Sequence, residues 1–145
     1  MNNKEVTIYT DGACAGNPGA GGWAAVILFQ DQRKDICGRA EDTTNNKMEL
    51  IAVINGLKVL KTSCNINLYT DSLYIKNGIT AWIKKWKING WRTSNKKPVK
   101  NMELWKALDE ISSQHQINWH WVKAHNGDKY NEAADTLARK AIDNA

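Results

Sequence analysis

Apolar and polar residues alternate twice in the same phase, and each run ends on Tyr-Thr-Asp. In the first, Val6, Ile8 and Thr10 share one side and Thr7, Tyr9 and Asp11 the other; in the second, Ile66, Leu68 and Thr70 oppose Asn67, Tyr69 and Asp71. A period of two marks a half-buried strand, so the pattern predicts two strands ending at Asp11 and Asp71, with both acids leaving on the tyrosine side. If the strands were parallel neighbours in matching register, roughly 5 Å apart, the carboxylates would converge closely enough to need protons or a divalent cation between them. Asp at a strand end is also ordinary turn chemistry, so the repeated tripeptide alone leaves both readings open.

Between the two runs the period changes. Gly12 to Gly22, with five glycines and Pro18, predicts a turn into a second strand over about Trp23–Gln30. A polar connection at Asp31-Gln32 leads to a third strand near Lys34–Ala40, so the chain opens as an antiparallel meander. Thr44 is placed to cap a helix from about Asn45 to Leu60, which carries Met48, Leu50, Ile51, Val53, Ile54 and Leu57. Glu49 is the odd residue of that helix. Its helical neighbours Ala52, Val53, Gly56 and Leu60 form a small apolar stripe that ordinarily faces a sheet, where a carboxylate is costly unless paired or metal-bound.

Beyond Asp71 a helix begins at about Leu73, breaks near Gly78 and resumes through Trp82 and Trp86, followed by a polar loop from Asn89 to Pro98. Asn101 can cap the next helix, whose buried face carries Leu104, Leu108 and Ile111. A fifth strand has Ile117, Trp119 and Trp121 on one face and His120 and Val122 on the other; a polar loop, His125–Tyr130, leads to a last helix over Asn131–Ile142 that carries Asp135. A meander followed by alternating strands and helices predicts an α/β fold, a mixed sheet covered on both faces.

At 145 residues and 42% hydrophobic content the chain has the size and core of one domain. The start is polar and no apolar run approaches the ~18 residues of a membrane span, so a soluble, intracellular protein is expected. Cys14, Cys37 and Cys64 make neither a Cys-x-x-Cys pair nor an even framework, which predicts free thiols in a reducing compartment. The net charge is +5, but its distribution says more: from Ser72 to Met102 there is no acid, while Lys76, Lys84, Lys85, Lys87, Arg92, Lys96, Lys97 and Lys100 supply eight cations. The remainder is therefore net acidic, a polyanion clamp beside a cation site. Trp82, Trp86 and Trp91 are interleaved with these lysines. Their spacing suits both stacking on nucleic acid and anchoring of a helix to the core; each indole is expected to serve the core in part, and the lysines to serve the polyanion.

Taken together, Tyr-Thr-Asp-Gly-Ala, Thr-Thr-Asn-Asn-Lys-Met-Glu-Leu, Tyr-Thr-Asp-Ser, Gly-Trp-Arg-Thr and Trp-Val-Lys-Ala-His, in this order over nearly the whole chain, closely resemble bacterial type I ribonuclease H. The resemblance implies a five-stranded mixed sheet flanked by helices, its first three strands antiparallel. It implies endonucleolytic hydrolysis of the RNA strand of RNA/DNA hybrids by two Mg²⁺ ions, with Mn²⁺ a possible substitute, leaving 3′-hydroxyl and 5′-phosphate ends. The metal ligands would be Asp11, Glu49, Asp71 and Asp135, with His125 assisting proton transfer or product departure. Asn17, Asn45 and Asn46 match readers of ribose 2′-hydroxyls, and Thr44 and Asn101 a pocket for a DNA phosphate. Lys84, Lys85, Lys87, Arg92, Lys96 and Lys97, with Trp82, match a basic protrusion that grips the hybrid. Leu73 stands where some relatives have Gln. A monomeric cytoplasmic enzyme is expected, free-standing because Met1 leads directly into the fold. A binding module without cleavage would have lost an acid, and a resolvase or integrase core would lack the basic protrusion; neither describes this set.

Overall fold

The computed structural model describes residues 4–93, 95–123 and 128–143. Five strands, β1 (Lys4–Cys14), β2 (Gly19–Phe29), β3 (Gln32–Thr43), β4 (Cys64–Thr70) and β5 (Gln116–Trp121), form one sheet in the order β3-β2-β1-β4-β5. β1, β2 and β3 pair antiparallel, whereas β4 runs parallel to both β1 and β5. The matching register required for the two Tyr-Thr-Asp runs is present: Val6 lies opposite Ile66 and Tyr9 opposite Tyr69.

The side of β1 and β4 that carries Ile8, Ile66 and Leu68 packs under α1 (Asn45–Lys58), with α4 (Met102–Ser112) supplying Trp105 and Leu108 to the same core. Helix α5 (Lys129–Asp143) lies against β1, β2 and β3. It meets the face opposite α1, where its buried Ala134, Ala138 and Ala141 allow close approach. No helix among the described residues is long and apolar enough to cross a membrane.

The glycine-rich stretch is not a long turn. β1 continues through Asp11 to Cys14 and pairs with β2 as far as Gly21, leaving only residues 15–18 as the turn. The strand glycines are there because helices come close: a Cβ on Gly12 would lie 2.5 Å from the Glu49 backbone nitrogen, and one on Gly22 would collide with the Ala138 carbonyl. Gly in a strand often marks such an approach. β3 is likewise longer than its hydrophobic pattern, because antiparallel pairing with β2 carries it to Thr43.

Thr44 caps α1 as expected, its hydroxyl accepting from the Lys47 N–H. The break at Gly78 is a widened turn in a continuing helix: α2 (Leu73–Asn77) passes through a π-helical turn (Gly78–Trp82) into α3 (Ile83–Ile88). A side chain at Gly78 would collide with the fully buried Trp105 indole. Asn101 holds the N-cap position of α4 but its side chain makes no capping hydrogen bond; its backbone is left-handed at φ 60° and its side-chain nitrogen instead donates to Tyr74 Oη at 3.1 Å. α5 begins two residues before the expected Asn131, because Asp128 Oδ1 accepts from the Tyr130 and Asn131 N–H groups, both at 3.0 Å.

Candidate active site

The site forms at the end of the sheet where β1 and β4 deliver their acids. Asp11 sits within β1, Asp71 follows the last residue of β4, and Glu49 comes across from the second turn of α1, which Gly12 allows to approach. One ligand oxygen from each of Asp11, Glu49 and Asp71 can lie within 4.8 Å of the others. Asp135, on α5, joins from the opposite face of the sheet through a side-chain hydrogen bond with Asp11 and an ion pair with Arg139. The four acids line a cleft of about 550 Å³ together with Cys14, Asn45, Asn46 and Arg139.

Asp11 and Glu49 are 5% and 6% exposed, so their charge is set by one another and by a few dipoles. Burial first, then the charges of Glu49 and Asp71 and the hydrogen bond with Asp135, raise the Asp11 carboxyl far above the usual carboxylate range. Burial and Asp71 also raise Glu49, against the Gly12 N–H and the Ser72 hydroxyl, which favour its ionised form. The Ser72 oxygen also accepts from the Ile75 N–H and so caps α2. Glu49 Oε1 is buried without a hydrogen-bond partner among the described residues. An acceptor left in that condition is costly, and an all-carboxylate donor set around it suits a hard divalent cation.

These raised values carry a sign. A carboxyl whose pKa is higher in the folded than in the unfolded chain contributes stability below its unfolded pKa, and the contribution is lost as pH rises through the folded value. The metal-free protein should therefore lose this stability as pH rises from about 4. Asp11→Asn should flatten the slope and raise neutral-pH stability by roughly 1–3 kcal/mol, several degrees in Tm. Thermal melts in chelator across pH test this; a variant whose Tm follows the parent's at every pH would refute it.

The other expected residues divide. Asn45 and Asn46 line the cleft, and Asn17 is tied beside them by accepting from the Asn45 N–H at 3.3 Å. Leu73 also lines it, 63% exposed on the rim. Asn101 faces a neighbouring depression of about 400 Å³ with Lys47, while the Thr44 hydroxyl is engaged in capping. Lys84, Lys85, Arg92, Lys96 and Lys97 are exposed; Lys87 is exposed but paired with Asp109 at 2.9 Å. Trp82 packs between Tyr74 and Trp86, and Trp86 against Trp91 and Trp105, so the indoles chiefly anchor α3 to the core. All three cysteines are free. His125 lies outside the described residues.

Arg139 and Ser72 at the site, and Lys47 in the depression beside Asn101, were not expected from the sequence. Arg139 sits one helical turn after Asp135, the spacing of an i, i+4 ion pair, and that signal could have found it. Lys47 and Ser72 carry no comparable signal, because each acts across to another element.

The RNase H family model matches residues 3–143. The ribonuclease H of Wolbachia sp. subsp. Drosophila simulans (strain wRi) is 80% identical over 142 residues, covering 98% of each chain. That of Ehrlichia chaffeensis is 63% identical, covering 96% of this chain and 95% of its own. Among solved structures, LC9-RNase H1, a type 1 RNase H with the type 2 active-site motif, superposes with a TM-score of 0.89 at 30% identity, covering 99% of this chain and 74% of its own. With the acidic cleft at the expected end of the expected sheet, the chain belongs to the RNase H family, ribonucleases that cleave the RNA strand of RNA/DNA hybrids.

Proposed function

We propose that Asp11, Glu49, Asp71 and Asp135 hold two Mg²⁺ ions, which Mn²⁺ can replace, and that this monomeric cytoplasmic enzyme cuts the RNA strand internally to leave 3′-hydroxyl and 5′-phosphate ends. The observation that carries the reading is the convergence of one carboxylate oxygen each from Asp11, Glu49 and Asp71 to within 4.8 Å of one another. When bound, such ions activate water and offset the charge that builds on the phosphorus centre.

The chain's own residues choose and orient the strand. Asn45 and Asn46, in the cleft beside the acids, and Asn17, fastened to them, present amides to the 2′-hydroxyls that distinguish RNA from DNA. Asn101 takes a phosphate of the DNA strand at the start of α4, with Thr44 and Lys47 at the start of α1. Lys84, Lys85, Lys87, Arg92, Lys96 and Lys97 grip backbone phosphates without reading sequence, and Trp82 supports that protrusion from below. His125 keeps its part in proton transfer or product departure.

The test is an RNA-labelled hybrid incubated with Mg²⁺ and with chelator. Internal RNA cuts bearing 5′-phosphates are expected with the metal and none without it. Equal cleavage in chelator would overturn the metal-dependent reading.

A further inference from the structure

Four rings form a row on the tyrosine side of the sheet, just below the acids. Tyr9 and Tyr69 stack with centroids 4.6 Å apart and planes 10° from parallel. His120, on β5, stacks on the other face of Tyr69 at 4.5 Å and 14°. Tyr130, in the first turn of α5, leans on Tyr9 at 5.5 Å and 39°. These spacings nearly equal the strand separation itself, about 4.8 Å, so the rings stand upright and repeat the sheet's own step. His120 is held in turn by a 3.0 Å hydrogen bond between its Nε2 and Asn67 Oδ1 on β4.

The row lies where the backbone stops holding the strands together. The β1–β4 ladder ends at the Tyr9–Tyr69 pair, two residues short of Asp11 and Asp71. Beyond it, two acids, Asp11 buried in β1 and Asp71 half-buried just past the neighbouring β4, repel whenever both are ionised. The stacked Tyr9–Tyr69 pair is the last rung of that ladder, and above it Glu49, accepting from the Gly12 N–H and the Ser72 hydroxyl, also ties β1 to the end of β4. Tyr130 adds α5, the helix that carries Asp135, to the same row.

We propose that Tyr69 is a positioning residue for the metal centre: its ring, clamped between Tyr9 and His120, holds the ends of β1 and β4 at the spacing in which Asp11 and Asp71 share an ion. This rests on the proposed metal site. Neighbours that orient metal ligands typically change affinity ~10- to 100-fold when removed, and a stacking contact needs the ring rather than the hydroxyl.

The experiment is calorimetric titration of Mn²⁺ into the substrate-free protein, repeated by electron paramagnetic resonance, alongside the Mg²⁺ concentration giving half-maximal cleavage. Tyr69→Ser should raise the Mn²⁺ Kd and the Mg²⁺ requirement by ~10-fold, with hybrid affinity measured in chelator unchanged. Tyr69→Phe should restore both. A parental Mn²⁺ Kd in Tyr69→Ser overturns the proposal, as does a Phe variant as weak as the Ser variant. If Tyr69→Ser does not fold, His120→Ser removes the outer ring from the half-exposed edge; a few-fold weaker Kd supports the proposal and a parental Kd overturns it. Failure of the parent to bind Mn²⁺ would instead overturn the metal reading beneath it.

Discussion

Asp71→Asn is expected to lower hybrid cleavage at saturating Mg²⁺ by ~10³-fold or more, while the Kd for hybrid measured in chelator stays close to the parent's. Asn has nearly the shape of Asp but carries no charge, so the substitution preserves packing and removes one anionic ligand from a set whose oxygens converge within 4.8 Å. Asp71 lines the cleft, which none of the exposed lysines of the α3 region assigned to phosphate contact does. The loss should therefore fall on turnover. Relieved repulsion should also let Glu49 ionise more readily, since Asp71 is the largest charge acting against it. Measuring turnover and hybrid binding on one preparation decides the matter: a variant that keeps more than a few per cent of parental turnover would remove Asp71 from the metal site.

The second large effect is strand choice. At equal concentration with Mg²⁺, duplex DNA should be cut ~10⁴-fold more slowly than a hybrid, because a site built to hydrogen-bond a hydroxyl discriminates strongly against a substrate without it. In the proposed reading Asn45 and Asn46 beside the acids provide that site, with Asn17 fixed to the Asn45 backbone. Double-stranded RNA should also resist, for the opposite reason. It offers 2′-hydroxyls to the asparagines but presents an A-form strand, rather than a deformable DNA strand, to the depression lined by Asn101 and Lys47. Only a hybrid satisfies both grooves. A single ribonucleotide in duplex DNA should survive as well, since it offers one 2′-hydroxyl to a proposed set of three asparagines. A matched set of labelled duplexes tests all four; efficient cutting of duplex DNA or of the single-ribonucleotide duplex would point to a broader nuclease on this fold.

The two effects divide between parts of the molecule that were not equally legible. The acids were visible because each violates a local pattern. Asp11 and Asp71 repeat in phase after Tyr-Thr, and Glu49 interrupts an apolar stripe whose Ala52, Val53 and Gly56 are indeed buried. Thr44 was visible because capping is a property of four consecutive residues. The DNA-phosphate side was less so. Asn101 has the sequence position of a cap, yet its amide is bonded to Tyr74, 27 residues away.

By itself, then, the sequence determined the alternation of strands and helices, the α1 cap, the phase of both aspartates and the unbalanced charge of residues 72–102, since each arises from neighbours along the chain. Tertiary structure decided that β1 and β4 are parallel with Tyr9 opposite Tyr69, and that Gly12 and Gly22 are strand residues making room for α1 and α5. It also decided that Arg139 and Ser72 join the site, that Lys47 lines the depression beside Asn101, and that Lys87 is partly engaged by Asp109. Periodicity reports which side of an element is buried, but not which element covers it. Distances between acids on three different elements are set by ladder register and helix approach, and those come into being only when the sheet closes against its helices.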